Sequence, residues 1–545
     1  MSTNPSPSPS PTVHPTTALG ELAAHWRADL LAGFLVFLVA LPLCLGIAMA
    51  SGFPPVGGVF TAIVGGILGT FLGSARLTIK GPAAGLIVIA LGAVTELGQG
   101  DNYVGYQRAL AVGVIAGAIQ IVFGLMKAGR LGVAFPAAVV HGMLAAIGVI
   151  ITSKQIHTAL GVIPEGKEPL HLLAEIPHSL ATLNPEIAVI GAMSLAVLFG
   201  LPKLPFTWAK KVPGPMVVIA LAIPLGLAFD LEHEHTYSFL AHDYKIGPSF
   251  LVTLPKSLLA AVTFPDFSAV WSPVTWKYVV MFSMVGTIES LLSTKAVDAL
   301  DPERRPSDLD RDLLVVGVCN VVASAIGGLP MISEIVRSSA NINNGAKTRW
   351  ANFFHGGFLL FFVALLPWLL QRIPLAALAA MLIYTGLRLA SPLEFRKTWQ
   401  IGWDQLVVFI TTLLVTLATD LLLGVGVGIM TKAALHVYHG ASLKSLLRPT
   451  LDAEVTDEVA TVRVVDAAVF SNLIAVRAMV MRQVEGGART VVVDFSAAKV
   501  VDHTTQERMH ELAEELERAG VHLSTSGLDS LSPHSAHPLS ARRRA

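Results

Sequence analysis

The sequence predicts an all-α polytopic membrane domain of about fourteen spans, a seven-plus-seven inverted repeat with two half-helices at the midplane. A small α/β domain follows it. Three observations carry the prediction. Apolar residues make up 53% of 545 and charged residues 14%, against about 25% charged in an average soluble domain. Apolar runs succeed one another from Asp29 to Tyr438 with only short polar breaks. Two Gly/Pro interruptions also recur at matching places, with Pro82 and Pro330 lying 248 residues apart.

Composition excludes several classes. A mean hydropathy of +0.64 is foreign to a soluble enzyme or a disordered chain. Lys+Arg 38 balance Asp+Glu 38, so no basic field exists to hold nucleic acid. Cys44 and Cys319, both in apolar runs, supply neither a disulfide framework nor a zinc site. His233, His235 and His242 with Glu232 and Asp243 read as a solvated loop, and no metal is expected. Phosphate-loop, His-Glu-x-x-His and nucleophile-elbow motifs are absent, so the chain is expected to be no enzyme and to need no cofactor beyond a coupling ion.

Along the chain, residues 1–28 form a Ser/Pro-rich start expected to be disordered. Residues 29–438 are the membrane domain, in contact with lipid. Assigning loops alternately from a cytoplasmic N-terminus puts sixteen Lys and Arg inside, Lys80 among them, and seven outside. That bias places both termini in the cytoplasm of a cell that carries the protein in its inner or plasma membrane. Asp420 reads as an interfacial helix end. Residues 439–452 read as a linker, 453–529 as alternating strands and helices that imply a small parallel sheet, and 530–545 as a basic, solvated tail. Thr504 and Glu507 have the spacing of a capping box at the start of the last helix.

The two interruptions are the informative places. Leu77–Gly85 and Gly327–Ala340 each put a short extended piece before a short helix, and such backbone survives at membrane depth only beside protein or a water-filled cavity. Two helix N-termini aimed at one point favour an anion, because each carries partial positive charge and unpaired N–H donors. Arg337, one turn into the second short helix, adds a full cation there, or else snorkels to an interface or pairs with Glu334. Glu289, inside Val279–Ser293, is the other costly group. It can accept a coupling proton, or ligate Na⁺ with hydroxyls such as Ser293, or serve as a static bond between helices.

At Leu41–Pro55, Lys80–Ala84, Gly286–Ser293 (GTIESLLS), Gly328–Gly345 and Asp404–Gly428 the sequence resembles the SulP (sulfate permease) family of anion transporters. The small domain resembles a STAS domain at Val491–Ser496 and Val501–Thr505. The resemblance implies core and gate domains, a homodimer, and an elevator-like motion. It implies an anion held by the backbone of Gly81, Pro82, Ala83 and Ala84 and of Ser333, Glu334 and Ile335, with Arg337 at the family's Arg-Ser position. Glu289 matches the acidic position of members similar to H⁺- or Na⁺-coupled symporters for sulfate, bicarbonate or dicarboxylates. Glu334 departs from the pattern by adding negative charge beside the substrate. Asp502-His-Thr-Thr505 replaces the usual Asp-Ser-Ser-Gly turn, and leaves Thr504 as both a helix cap and a candidate phospho-acceptor. The expected function is secondary active transport of a small inorganic or carboxylate anion. The alternatives are a tethered anion sensor signalling through the STAS-like module to an unidentified cytoplasmic partner, and an uncoupled channel or exchanger.

Overall fold

The computed structural model describes residues 18–544 apart from 131–135, 167, 207–211, 240–241, 254–257, 304, 420, 457–458 and 519. The expected disorder of residues 1–17 lies outside the described residues, as do Asp420 and the loop cations Lys167, Lys210, Lys211, Lys256 and Arg304.

Among the described residues, two sets of helices make the membrane domain, eight in the first and nine in the second. The first comprises α1 (Ala18–Ala50), α2 (Pro55–Leu72), α3 (Ile87–Gly98), α4 (Asn102–Leu125) and α5 (Ala137–Ala159). After the short α6 (Pro169–Ala181) it ends with α7 (Pro185–Gly200) and α8 (Gly214–Ala228). The second comprises α9 (Pro273–Leu300), α10 (Leu309–Ala325), α11 (Ile335–Asn343) and α12 (Trp350–Leu365). The short α13 (Pro367–Leu370) precedes α14 (Leu375–Leu389), and the short α15 (Pro392–Ile401) precedes α16 (Trp403–Ala418) and α17 (Leu421–Tyr438). Seven of the described helices are long and apolar enough to cross a bilayer, and four shorter apolar ones accompany them. Their starts follow from local chemistry: Asp101 caps α4 by accepting from Tyr103 and Val104 N–H, Asp308 caps α10 in the same way, and Pro opens α2, α7 and α9. The helix α1 begins at Ala18, so residues 18–28 of the expected disordered start are instead helical.

The halves are locked together by polar groups within apolar surroundings. Asp29, fully buried on α1, accepts from Lys347 N–H (2.8 Å), Thr348 N–H (3.1 Å) and the Thr348 hydroxyl (2.5 Å) at the start of α12. A buried apolar group around Phe37, Leu45, Val59 and Leu359 joins α1, α2 and α12, and a second around Ile89, Leu110, Ile147 and Phe282 joins α3, α4, α5 and α9. The loop histidines form a hairpin of β2 (His235–Phe239) and β3 (His242–Ile246), where His242 faces Phe239 and His235 faces Ile246.

The C-terminal domain carries a seven-stranded sheet: β5 (Thr450–Thr456), β6 (Val459–Ala468), β7 (Thr490–Asp494), β8 (Ala498–Val501), β9 (His522–Ser526), β10 (Ser532–Pro533) and β11 (Arg542–Arg543). The β6–β7, β6–β8 and β7–β9 pairs are parallel. Val462, Val491, Val493 and Phe495 meet Val476 of α19 (Leu473–Glu485) and Leu512 of α20 (His503–Arg518) in its core. Three expectations need correcting. The stretch 439–452 is not an open linker: it holds the helix α18 (Leu443–Leu447) and the opening of β5. The tail is packed, because β11 pairs with β8 and the Ser535 hydroxyl donates to the carbonyls of Gln400 and Ile401. The cap of α20 is Asp502, whose carboxylate takes the Thr505 N–H at 2.7 Å, while the buried Thr504 hydroxyl has no partner among the described residues. A carboxylate one residue ahead of the helix reaches the third N–H that Thr504, already within the first turn, cannot reach.

Candidate anion site

Both interruptions are extended, and they cross. β1 (Ile79–Pro82) and β4 (Met331–Glu334) form an antiparallel pair in which Lys80 faces Ser333 and Gly81 faces Ile332. A turn of 3₁₀ helix, Ala84–Leu86, then leads into α3, and α11 starts directly after β4. Two short helices therefore begin on either side of one strand crossing.

Non-helical backbone inside a membrane needs partners for its polar groups, and this crossing has them. Ile79 N–H donates to Ser338 Oγ (2.9 Å), Lys80 N–H to Asn352 Oδ1 (3.3 Å), and Asn341 donates to Leu77 O (3.0 Å). On β4, Asn320 takes the Met331 N–H (2.5 Å) and donates to the Met331 carbonyl (3.1 Å), while Ser333 N–H donates to Ser290 Oγ (3.2 Å). None of these three asparagines stood out in the sequence, although an Asn in an otherwise apolar span was the available signal.

A cavity of about 370 Å³ adjoins the crossing. Ala83, Ala84, Gly85, Glu334 and Ile335 line it from the two interruptions, and Glu289 and Ser293 line it from α9. Glu289 is buried, and its Oε1 has no hydrogen-bond partner among the described residues. Its carboxylate lies so close to Gly85 that any side chain there would collide with both oxygens. The Ala84 N–H, in the 3₁₀ turn before α3, faces the Glu334 carboxylate, so the acid occupies the ground an external anion would take.

Gly81, Pro82, Ser333 and Arg337 lie behind the cavity wall rather than on it. The Ser333 side chain turns away, toward Lys80 and Asp312. Arg337 is 1% exposed; it donates to Pro82 O (3.3 Å) and Cys44 Sγ (3.4 Å), and its Nε has no partner among the described residues. A side chain at Gly81 would strike its guanidinium, which explains glycine there. Its charge thus acts through the β1 backbone, one layer from the cavity. Lys80, counted with the inner loops from its sequence position, is fully buried instead. A buried carboxylate, Asp312 of α10, draws it inward with a 2.6 Å ion pair.

At its far end the cavity meets His141 of α5 and Glu507 and Arg508 of α20, so the C-terminal domain contributes to its mouth. Lys295 of α9 reaches Glu511 of α20 at 3.7 Å and fastens the two together. The pull of Arg508 and Lys295 outweighs burial and holds the Glu511 carboxyl below its ordinary range. Among the described residues, no group of three His, Cys, Asp or Glu is arranged to hold a metal.

Comparison with known proteins gives a consistent picture. The profile described as the sulfate permease family matches residues 26–412. The putative sulfate transporter YvdB of Bacillus subtilis (strain 168) is 22% identical over 511 residues, covering 93% of this chain and 92% of that protein. The bicarbonate transporter BicA of Picosynechococcus sp. is 23% identical over 425 residues, covering 77% and 71%. Among solved structures, the transmembrane domain of a cyanobacterium bicarbonate transporter BicA aligns with a TM-score of 0.63 at 23% identity, over 74% of this chain and 98% of that one. The murine Slc26a9 anion transporter in the inward-facing state aligns at 0.66 with 16% identity, over 92% and 85%. These structural likenesses concern the fold.

Proposed function

This chain belongs to the sulfate permease family, a family of membrane anion transporters and not of enzymes, and we propose that it is a secondary active transporter of a small anion coupled to H⁺ or Na⁺. Sulfate, bicarbonate and dicarboxylates are the candidate substrates. The relatives named as sulfate and bicarbonate transporters support that range. The observation that carries the reading is the β1–β4 crossing, which sets the starts of α3 and α11 beside one cavity that also holds Glu289 and Glu334.

The charge pattern supports coupling. Lys80 and Asp312 neutralise each other, which leaves Arg337 against Glu289 and Glu334. With both glutamates ionised the site repels an anion; with both neutralised, by protons or by a metal cation, it attracts one. A cation that enters with the anion therefore makes the anion's binding favourable. Ala83, Ala84, Glu334 and Ile335 would supply the backbone cradle, backed by Gly81, Pro82 and Ser333 one layer behind, Arg337 the field, and Glu289 with Ser293 the coupling-ion position. Thr504 keeps a regulatory role open only in a state that exposes it. Two identical chains in an inner or plasma membrane, with cytoplasmic termini, complete the reading.

The test is uptake of labelled sulfate, bicarbonate and a dicarboxylate into proteoliposomes, each with and without a Na⁺ or pH gradient. Accumulation of one of them that requires a gradient is expected. Saturable binding with no flux would overturn transport and favour the sensor, whose signal would pass through Glu507 and Arg508 at the cavity mouth.

A further inference from the structure

Lys80 is used by none of the steps above, yet it is among the largest fully buried side chains of the protein. Its ammonium has three N–H donors, and each is used. They reach Asp312 Oδ1 at 2.6 Å, Ser333 Oγ at 2.6 Å and Thr78 Oγ1 at 3.0 Å. The cage continues outward. The second Asp312 oxygen accepts from Thr294 Oγ1 (2.9 Å) and from Ser333 Oγ (3.0 Å), and Ser290 Oγ lies 3.2 Å from Ser333 Oγ. The oxygens come from the approach to β1, from β4, from α9 and from α10, that is, from both halves of the repeat.

One carboxylate and a ring of hydroxyls, buried and balanced by a single positive charge, is the donor set of a monovalent-cation site. Glu289 offers the opposite environment. Apart from Ser293 and Glu334, its neighbours on the cavity wall are mostly apolar, including Ala83, Leu144, Leu292 and Ile332, and one of its oxygens has no partner. Hydroxyl oxygens are gathered around Lys80 and scarce around Glu289.

We propose that the Lys80 ammonium is a tethered cation filling a sodium-type seat beneath the strand crossing, so that no free sodium ion binds there. The crossing is then held by a charge that cannot dissociate, and the seat turns over with neither transport nor the sodium concentration. Among the described residues, Cys319 of α10 is the further titratable group beside the pair, and Asp298 of α9 the further acid near Asp312. Which ion couples at Glu289 and Ser293 rests on the transport reading; the filling of the Lys80 seat does not.

The test compares the full chain in detergent with sodium, methylammonium or N-methyl-D-glucamine as the cation, the anion being constant. With Glu289→Gln removing the other proposed cation position, the protein with Lys80 intact should give one thermal midpoint in all three. Lys80→Ala, which empties the seat and leaves Asp312 unpaired, should unfold earlier in N-methyl-D-glucamine and shift upward with sodium or methylammonium, because a ligand bound only by the folded state stabilises it. Lys80→Met fills the space and should show no upward shift. In proteoliposomes Lys80→Ala should lose uptake in N-methyl-D-glucamine and regain part of it with methylammonium. If Lys80→Ala cannot be purified without sodium or methylammonium, recovery with either supports the proposal, and equal failure in all three overturns it. A midpoint that rises with sodium in Glu289→Gln protein with Lys80 intact, or a folded Lys80→Ala indifferent to every cation, also overturns it. Wild-type protein without flux but with these midpoints would defeat the transport reading and leave the filled seat intact.

Discussion

Replacing Arg337 with methionine should move stability and anion affinity in opposite directions. Among the described residues no carboxylate lies within ion-pair distance of this guanidinium, which is 1% exposed and held by two long hydrogen bonds, 3.3 Å to Pro82 O and 3.4 Å to Cys44 Sγ. A cation at membrane depth costs roughly 2.5–3.5 kcal/mol. Methionine fills similar volume without that cost, so the apparent Tm in detergent should rise. Anion binding should weaken. At an effective dielectric near 20, two unit charges ~8 Å apart interact by about 2 kcal/mol, the order expected for a cation one layer from the anion. At ~1.36 kcal/mol per decade, that is a loss of roughly thirtyfold in affinity. Anion-dependent thermal shift gives both numbers on one sample, and initial uptake rates give the transport consequence. Unchanged affinity together with a lower Tm would refute the reasoning, since Arg337 would then be a structural brace.

Further outcomes follow from the same geometry. Glu289→Gln keeps the shape but removes the titratable oxygen facing Gly85, so uptake should continue down an anion gradient and lose its response to imposed pH or Na⁺ gradients; retained gradient dependence counts against Glu289 as the coupling group. Gly85→Ala drives a methyl group into the Glu289 carboxylate and should cost about 1–3 kcal/mol and most of the uptake. Gly357→Ala, with open space around it, should behave as the wild type in the same assay. In the C-terminal domain, burial opposes the charge on Asp466, but the Ser442 hydroxyl and N–H, with Lys499 at 2.9 Å, outweigh it and hold its carboxyl well below the carboxylate range. A depressed folded pKa stabilises above the unfolded value near ~3.9 and is lost as pH falls below it. Acid unfolding followed by circular dichroism should therefore show a steeper loss below about pH 4 for the wild type than for Asp466→Asn.

Much of the site was legible in the residues. Gly and Pro inside apolar runs mark places where a helix cannot continue, and the equal offset of Pro82 and Pro330 paired them before any coordinates did. Glu289 was legible because a lone carboxylate in an apolar run is costly wherever it points. Lys80 was misread for a related reason: beside Gly81-Pro82 a lysine looks like a loop residue, and its partner Asp312 is 232 residues away. Ser333 was nominated by its position, yet its hydroxyl faces that same ion pair. Thr504 was misassigned because Asp502 and Thr504 both fit a capping pattern, and only the observed helix start separates them.

By itself, the amino-acid order determined the membrane class, the two broken spans, and the α/β character of the C-terminal module. Those properties depend on composition and on periods of a few residues, which the local chain carries. The pairing of Lys80 with Asp312, the asparagine clamps on β1 and β4, the return of Arg542 and Arg543 to β8, and the reach of α20 to the cavity mouth were decided only by the tertiary structure. Each joins groups far apart in the chain, and the energy of a buried polar contact depends on the partner that burial brings near, which no local pattern specifies.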